Sequence, residues 1–186
     1  MKKQWRRTFL TGFTMLIIGV LMGCGESEIS KVEGDGTEEV KAEEKKDDAP
    51  KEQTLKVGET VNFDGLKITL NEARIEPGGE FDSPQNEQFV VVNLTAENTT
   101  EEEQAVSSIM NVELKDSEGY SYNTTILTEG IKGQFDGSVV AGGKLRGEIP
   151  FDVPASETYE LHFSDPFKSG KAIWVVPSSE LSGGGQ

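Results

Sequence analysis

The chain has 186 residues, a formal net charge of −15 at pH 7, one Cys and one His. One Cys excludes a disulfide framework within the chain and a Cys-based zinc site, and one His excludes metal centres that need two or three His ligands. The excess of acids, 33 Asp and Glu against 18 Lys and Arg, argues against a nucleic-acid-binding protein, because such proteins use Lys and Arg to displace counterions from phosphates.

Residues 1–23 have the pattern of a secretory signal peptide. Basic side chains (Lys2, Lys3, Arg6, Arg7) precede an apolar run over 9–22. As a helix this run would be about 21 Å long, short for a bilayer core of about 30 Å. The run ends in Leu21-Met22-Gly23-Cys24, which resembles the lipobox of bacterial lipoproteins. That resemblance implies cleavage before Cys24 and a diacylglyceryl group on its thiol, with an uncleaved signal anchor as the alternative.

Residues 24–53 have the composition of a disordered acidic linker. From Gly25 to Gln53 the chain has eleven acids and five Lys. Few apolar side chains are available for burial, so we expect this segment to be disordered. A flexible chain of this length has an r.m.s. reach of about 30 Å. We interpret the segment as a spacer; binding of a cationic partner or a wall component by its acidic run is the alternative.

Residues 54–177 have the period-two alternation of β-strands. Apolar sets on one strand face recur along this region: Leu66, Ile68, Leu70; Val90, Val92, Leu94, Ala96; Met110, Val112, Leu114; Leu145, Ile149, Phe151, Val153; Tyr159, Leu161, Phe163; Ala172, Trp174, Val176. Asp64-Gly65 predicts a two-residue hairpin, and Pro150 predicts an edge strand or a bulge. The pattern predicts an all-β, immunoglobulin-like β-sandwich of about seven to nine strands, followed by a flexible tail over 178–186. Closure into a barrel is left open.

Several segments of this region resemble a bacterial family of immunoprotective extracellular, immunoglobulin-like domains named for a secreted mycobacterial antigen. The segments that carry the resemblance are Val57-Gly58-Glu59-Thr60-Val61, Leu66 to Leu70, Glu87 to Leu94 with Glu97-Asn98, Ala141-Gly142-Gly143 before Leu145 to Val153, and Tyr159-Glu160-Leu161. These are strand and turn residues. The resemblance therefore implies a sandwich fold and a lipoprotein setting, and it brings no catalytic residues with it.

Two groups of acids are candidate cation ligands: the run Glu101-Glu102-Glu103, and Glu80, Asp82 and Glu87 in one loop region. Calcium needs six to eight converging oxygen ligands. Adjacent carboxylates in a strand or turn point apart, and the spacing of an EF-hand is absent. We therefore predict solvated loops and no metal site.

One imidazole and several aromatic side chains are the remaining candidates. His162 is expected to face solvent or a sheet edge, opposite Leu161, and no nucleophile elbow accompanies it. Aromatic residues near turns could anchor a partner, although packing in the core or in turns is the favoured interpretation: Tyr120, Tyr122, Phe135, Phe167. Trp174 is expected in the core.

The sequence favours a binding or scaffolding module over an enzyme. We expect it on the extracytoplasmic face of the cell membrane, attached by lipid at Cys24, with a cell-envelope protein or polymer as partner. No catalytic residue, cofactor, metal or nucleic acid is predicted. Two alternatives remain: a carboxylate-dependent hydrolase of wall polymers, and a structural protein whose acidic surface repels anionic polymers.

Overall fold

The computed structural model describes residues 25–32 and 52–183. The predicted signal peptide, Cys24 and most of the predicted linker lie outside these residues. The described elements are β1 Gly25–Glu26, β2 Ile29–Val32, β3 Glu52–Lys56, β4 Thr60–Phe63, β5 Leu66–Glu76, β6 Gln88–Asn98, β7 Gln104–Val106, α1 Ser108–Asn111, β8 Val112–Lys115, β9 Ser121–Tyr122, β10 Gly137–Val139, β11 Lys144–Val153, β12 Thr158–Ser164, β13 Lys168–Ser169, β14 Lys171–Pro177 and a 3₁₀ turn Ser178–Glu180.

Two five-stranded sheets form a β-sandwich, which confirms the predicted fold. The first sheet has the order β11-β6-β5-β4-β2, and the second has the order β3-β14-β12-β8-β9. Their facing side chains form one hydrophobic core that contains Ile68 and Leu94 of the first sheet and Leu161 and Trp174 of the second. The sheets have separate edges and do not close into a barrel. Of their ten strands, β2 comes from outside the predicted domain.

The turns and the edge strand agree with the sequence. Asp64 and Gly65, with φ of 52° and 81°, form the two-residue hairpin between β4 and β5. Positive φ at both central residues is the geometry of a type I′ turn, which Asp-Gly favours. Pro150 lies in β11, the edge strand of the first sheet, where its missing N–H costs no ladder hydrogen bond.

The ordered domain extends beyond both predicted boundaries. Ile29–Val32 pairs with β4, and Ile29 packs against the core, so this part of residues 24–53 is not a disordered linker. At the other end, the Ile75 amide donates to the Ser182 carbonyl at 2.9 Å, so the start of the predicted flexible tail is also attached. The sequence composition did not predict either segment as ordered, because each contributes only one or two apolar side chains. Backbone pairing with an existing strand supplies the remaining stabilisation.

Met110 departs from the predicted strand pattern. It lies in the one-turn helix α1 and is 54% exposed, while Val112 and Leu114 begin the strand and are buried. Asn111 holds this helix: it accepts from the Ser107 amide at 2.9 Å and donates to the Ser164 carbonyl at 3.0 Å. Within the described part of the chain, no helix is long and apolar enough to cross a bilayer.

Candidate ligand-binding cleft

A cleft of about 720 Å³ lies on the outer face of the first sheet, away from the core. Strands β5, β6 and β11 form its floor, and the segment 130–133 lies along one side. Its lining side chains are mostly charged or amide-bearing, and the lining residues are Glu72, Arg74, Glu76, Asn93, Gly130, Lys132, Gly133, Arg146 and Glu148. The volume falls within the range of about 300–1,000 Å³ that is usual for small-molecule sites.

A bulge in β5 determines which side chains reach the cleft. Pairing with β6 shifts register between Leu70 and Glu72, which leaves Asn71 as the extra residue. Before the bulge, even-numbered residues such as Leu70 point into the core; after it, Ala73 does. Because side chains alternate along a strand, the extra residue turns Arg74 and its even-numbered neighbours to the outer face.

A buried ion pair forms the floor of the cleft. The Arg74 guanidinium donates to both carboxylate oxygens of Glu148, from Nη1 to Oε1 at 3.0 Å and from Nη2 to Oε2 at 2.9 Å. The side chains are 16% and 3% exposed, respectively. Glu148 also accepts from Asn93 Nδ2 at 2.9 Å and from the Lys132 amide at 2.8 Å. A bidentate pair with all its acceptor sites used fixes the geometry of both side chains.

The same network attaches the segment 130–133 to the sheet. Arg74 Nη2 also donates to the Gly130 carbonyl at 2.6 Å, and Gly130 has φ of 76°. The positive φ favours glycine at this position, and a Cβ there would lie 2.8 Å from Cδ of Glu76, so the Glu76 carboxylate would also have to move. The side of the cleft is therefore positioned by Arg74 and Glu148 together.

The pKa of Glu148 reflects this environment. Burial acts to raise the pKa, but hydrogen bonds from Arg74, the Lys132 amide and Asn93 outweigh it and lower the pKa from 4.5 to about 2. For Arg74, the hydrogen bonds to Glu148 outweigh burial and raise the pKa. Both groups therefore remain charged throughout the physiological range.

We expect the Glu148 ion pair to make stability depend on pH in the acid range. Its lowered pKa gives a contribution that is fully present above about pH 4.5 and is lost as the pH falls towards 2. The free energy of unfolding of the wild-type protein should therefore fall more steeply between pH 4.5 and 2 than that of Glu148→Gln. Denaturant titrations of both proteins at several pH values measure this. Parallel curves would contradict the prediction, since the other carboxylates are common to both proteins.

Two cations at the rim have no salt bridge among the described residues, and one acid there, Glu72, accepts only a long hydrogen bond from Ser182 Oγ at 3.5 Å. The Arg146 Nε donates to Asn93 Oδ1 at 2.8 Å. Among the described residues, the terminal nitrogens of Arg146 and the ammonium of Lys132 have no carboxylate within salt-bridge distance. Glu72 lies across the floor on β5, two strand spacings and two residues along the strand from Arg146 on β11, which puts their Cα atoms about 12 Å apart. The cleft thus has a cationic side and an acidic side, separated by Asn93.

The acids singled out in the sequence do not converge. Glu101, Glu102 and Glu103 are exposed. Asp82 accepts from the Thr128 amide and hydroxyl, each at 2.7 Å, and so links two surface loops. Glu87 accepts from the Ala155 amide at 2.6 Å. Within residues 25–32 and 52–183, no group of three or more His, Cys, Asp or Glu side chains is placed to hold a metal ion.

His162 and the aromatic residues occupy different environments. His162 lies on the outer face of the second sheet, as predicted from its position opposite Leu161, but it is only 7% exposed and bonds Glu160 Oε2 at 2.9 Å. Trp174 and Phe135 are fully buried in the core. Tyr122 bonds Asp116 Oδ2 at 2.7 Å, and burial together with this bond raises its pKa to about 12. Phe167 is exposed.

Sequence reasoning missed the cleft residues. Arg146 and Glu148 were placed correctly on one face of a strand, opposite Leu145 and Ile149. Nothing in the segment that contains Arg146 and Glu148 indicates that Arg74, which lies 74 positions before Glu148, completes the site. The signal for the site that the sequence offered was a base, Arg146, and an acid, Glu148, at alternate positions of a strand that also contains Pro150.

The family of the chain follows from a comparison with protein-family models. The model described as Domain of unknown function (DUF4352) matches residues 55–173, well over half of the chain. The chain belongs to DUF4352. The matched range begins in β3 and ends in β14, so it covers all the strands that form the cleft of this DUF4352 domain. Among curated proteins, none matches the sequence.

Two solved structures with TM-scores above 0.5 share the fold of this DUF4352 protein. The yjhA protein of Bacillus subtilis is 16% identical with a TM-score of 0.52, over 67% of this chain and 98% of that one. A candidate lipoprotein of the same organism, ycdA, is 14% identical with a TM-score of 0.51, over 61% of this chain and 37% of that one. The alignment therefore spans little more than a third of ycdA. The secreted protein MPT63 of Mycobacterium tuberculosis is 14% identical with a TM-score of 0.46, over 65% and 95% of the two chains.

Proposed function

We propose that this DUF4352 protein is a lipid-anchored binding module on the extracytoplasmic face of the cell membrane. The anchor rests on the sequence: the single Cys of the chain, Cys24, directly follows an apolar run in a lipobox-like context. The description of the structurally similar ycdA as a candidate lipoprotein supports this location. Two acyl chains on one Cys would hold a protein stably without a spanning helix.

The cleft on the first sheet is the observation that carries the binding role. Its floor is preorganised, because Arg74 and Glu148 are fixed by each other and by Asn93 before any ligand arrives. A preformed site avoids the entropic cost of ordering side chains on binding. The rim groups, in contrast, keep hydrogen-bonding capacity for a ligand.

The charge arrangement selects the class of ligand. Lys132 and Arg146 on one side suit a carboxylate, and Glu72 on the other suits an ammonium group. Arg is well suited to planar, bidentate recognition of a carboxylate. We therefore propose a short zwitterionic peptide, or the end of a peptide in an envelope polymer, as ligand. An extended tripeptide spans about 10 Å, which is comparable with the separation of about 12 Å between the Cα atoms of Glu72 and Arg146.

The binding role is tested by calorimetry with trialanine, N-acetyl-trialanine and trialanine amide. We expect the zwitterion to bind more tightly than either blocked form, and Arg146→Ala to weaken it about tenfold, since a hydrogen bond to a charged group contributes about 1.5–3 kcal/mol. Lys115→Ala, on the outer face of the second sheet, is the matched control. Equal affinity for all three peptides, or no heat with any of them, would overturn the proposed ligand class.

A further inference from the structure

We propose that an apolar surface at one end of the sandwich lies in the membrane interface beside the anchor. The surface consists of Met110, Pro166 and Phe167, and we refer to it as the end patch. The proposal rests on lipid attachment at Cys24. It goes further by assigning the domain a fixed orientation on the bilayer and a direct lipid contact of its own.

Pairing of β1 with β13 brings the predicted anchor position to the end patch. These strands are parallel, with Gly25 opposite Lys168 and Glu26 opposite Ser169. The Ser27 amide continues the pairing by donating to the Ser169 carbonyl at 3.2 Å. Cys24 is bonded to Gly25, and Phe167 is bonded to Lys168. The first described residue after the predicted anchor, Gly25, therefore lies one strand spacing, about 4.8 Å, from the residue that follows Phe167.

The end patch is exposed and apolar. Phe167 is 76% exposed and Met110 is 54% exposed. Both side chains, with Pro166, line a shallow hollow of about 210 Å³ together with Ala105 and Val106. Phe and Met on a rigid surface next to an acyl attachment suit the boundary between headgroups and acyl chains, where apolar area leaves water.

A tight turn presents Phe167 outwards. Asp165 Oδ1 accepts from the Phe167 amide at 2.8 Å, and the Asp165 carbonyl accepts from the Lys168 amide at 3.1 Å. Lys168 in turn contacts Asp64 Oδ2 at 2.8 Å, so the base of the turn is joined to the β4–β5 hairpin. These contacts fix the backbone of the turn from which the exposed Phe167 ring projects.

The charges near the end patch indicate which lipids it contacts. Lys168 is occupied by Asp64, and the exposed Glu103 lies just before Gln104–Val106. The surroundings are therefore not cationic, so the contact depends on burial of apolar area and not on attraction to anionic headgroups. We expect insertion into zwitterionic vesicles to equal or exceed insertion into anionic ones.

Fluorescence of single Trp replacements tests the contact. The full lipidated protein is reconstituted into phosphatidylcholine vesicles with brominated acyl chains as quencher. The only Trp expected after signal cleavage, Trp174, is fully buried and provides a constant background. Phe167→Trp should show a blue shift and strong quenching. Phe81→Trp is the matched control, because Phe81 is 82% exposed but follows the far end of the eleven-residue strand β5; it should show neither effect.

The outcomes separate the contact from the anchor. Detergent partitioning and the mass of the mature N-terminus report lipid on Cys24 independently of Trp quenching. A lipidated protein in which Phe167→Trp is quenched no more than Phe81→Trp overturns the end patch and leaves the anchor intact. An unmodified Cys24 thiol in an aqueous-phase protein overturns the anchor, and the orientation that depends on it as well.

Discussion

Glu148→Gln is expected to lower the free energy of unfolding by about 3 kcal/mol, since removing one partner leaves the buried Arg74 with only the longer salt-bridge contact from its Nε to Glu76 Oε2 at 3.5 Å. The amide is nearly the same size as the carboxylate, so the effect comes from charge and hydrogen bonding. Its NH₂ group would also face a donor, either Arg74 or the Lys132 amide, which now meet acceptor oxygens. Chemical denaturation at neutral pH measures the change.

Glu97→Gln is the matched control for this variant. Glu97 lies on the neighbouring strand β6 and pairs with Lys144 at 2.9 Å, but the two side chains are 38% and 64% exposed. An exposed pair contributes little because solvent screens it, so the control should lose far less stability than Glu148→Gln. Equal losses in the two variants would mean that the cleft floor is not preorganised by the Arg74–Glu148 pair. Local loosening of residues 130–133, measured by hydrogen exchange, should accompany Glu148→Gln alone.

Phe135→Ala is expected to cost about 3–5 kcal/mol, the usual range for removal of a buried aromatic ring. Phe135 is fully buried although it comes from a loop between β9 and β10. The backbone reaches the core because Gly147 leaves space: a Cβ there would lie 2.4 Å from the Phe135 amide nitrogen. Removal of the ring therefore leaves a cavity between the sheets and detaches from the core the loop that leads to the cleft.

Phe167→Ala is the matched control. It tests whether the loss of stability comes from the buried position of Phe135 and not from the removal of any Phe side chain. Phe167 is 76% exposed in water, so its replacement should change stability by less than about 0.5 kcal/mol. Thermal and denaturant unfolding of both variants provide the comparison. A marginal loss for Phe135→Ala would show that the loop does not anchor in the core.

The strands and hairpins could be predicted because their signals are local. Alternation at Leu66, Ile68 and Leu70 follows directly from the pleat of a strand, and Asp64-Gly65 specifies its turn by backbone preference alone. The resemblance to the immunoglobulin-like family predicted the same architecture. The observed β-sandwich and the match to DUF4352 agree with that prediction. Pro150 correctly indicated an edge, since a missing N–H is tolerated only where no neighbour needs it.

The cleft could not be predicted because it depends on register. Arg74, Asn93 and Glu148 lie on three different strands, and only pairing across β6 brings them together. The bulge at Asn71 reverses the alternation of β5, so reading the strand with one uninterrupted period assigns Arg74 to the wrong face. Similarly, Ile29–Val32 becomes a strand only through an existing edge, which composition does not show.

The bulge has one further consequence for how this surface is encoded. Before the bulge, alternate side chains of β5 face the core in the register set by the hairpin. After the bulge, one additional residue reverses which side chains face the core. The chemistry displayed by this strand therefore depends on the bulge as much as on residue identity: if Asn71 were paired as an ordinary strand residue, the guanidinium of Arg74 would be directed between the sheets and Ala73 towards solvent.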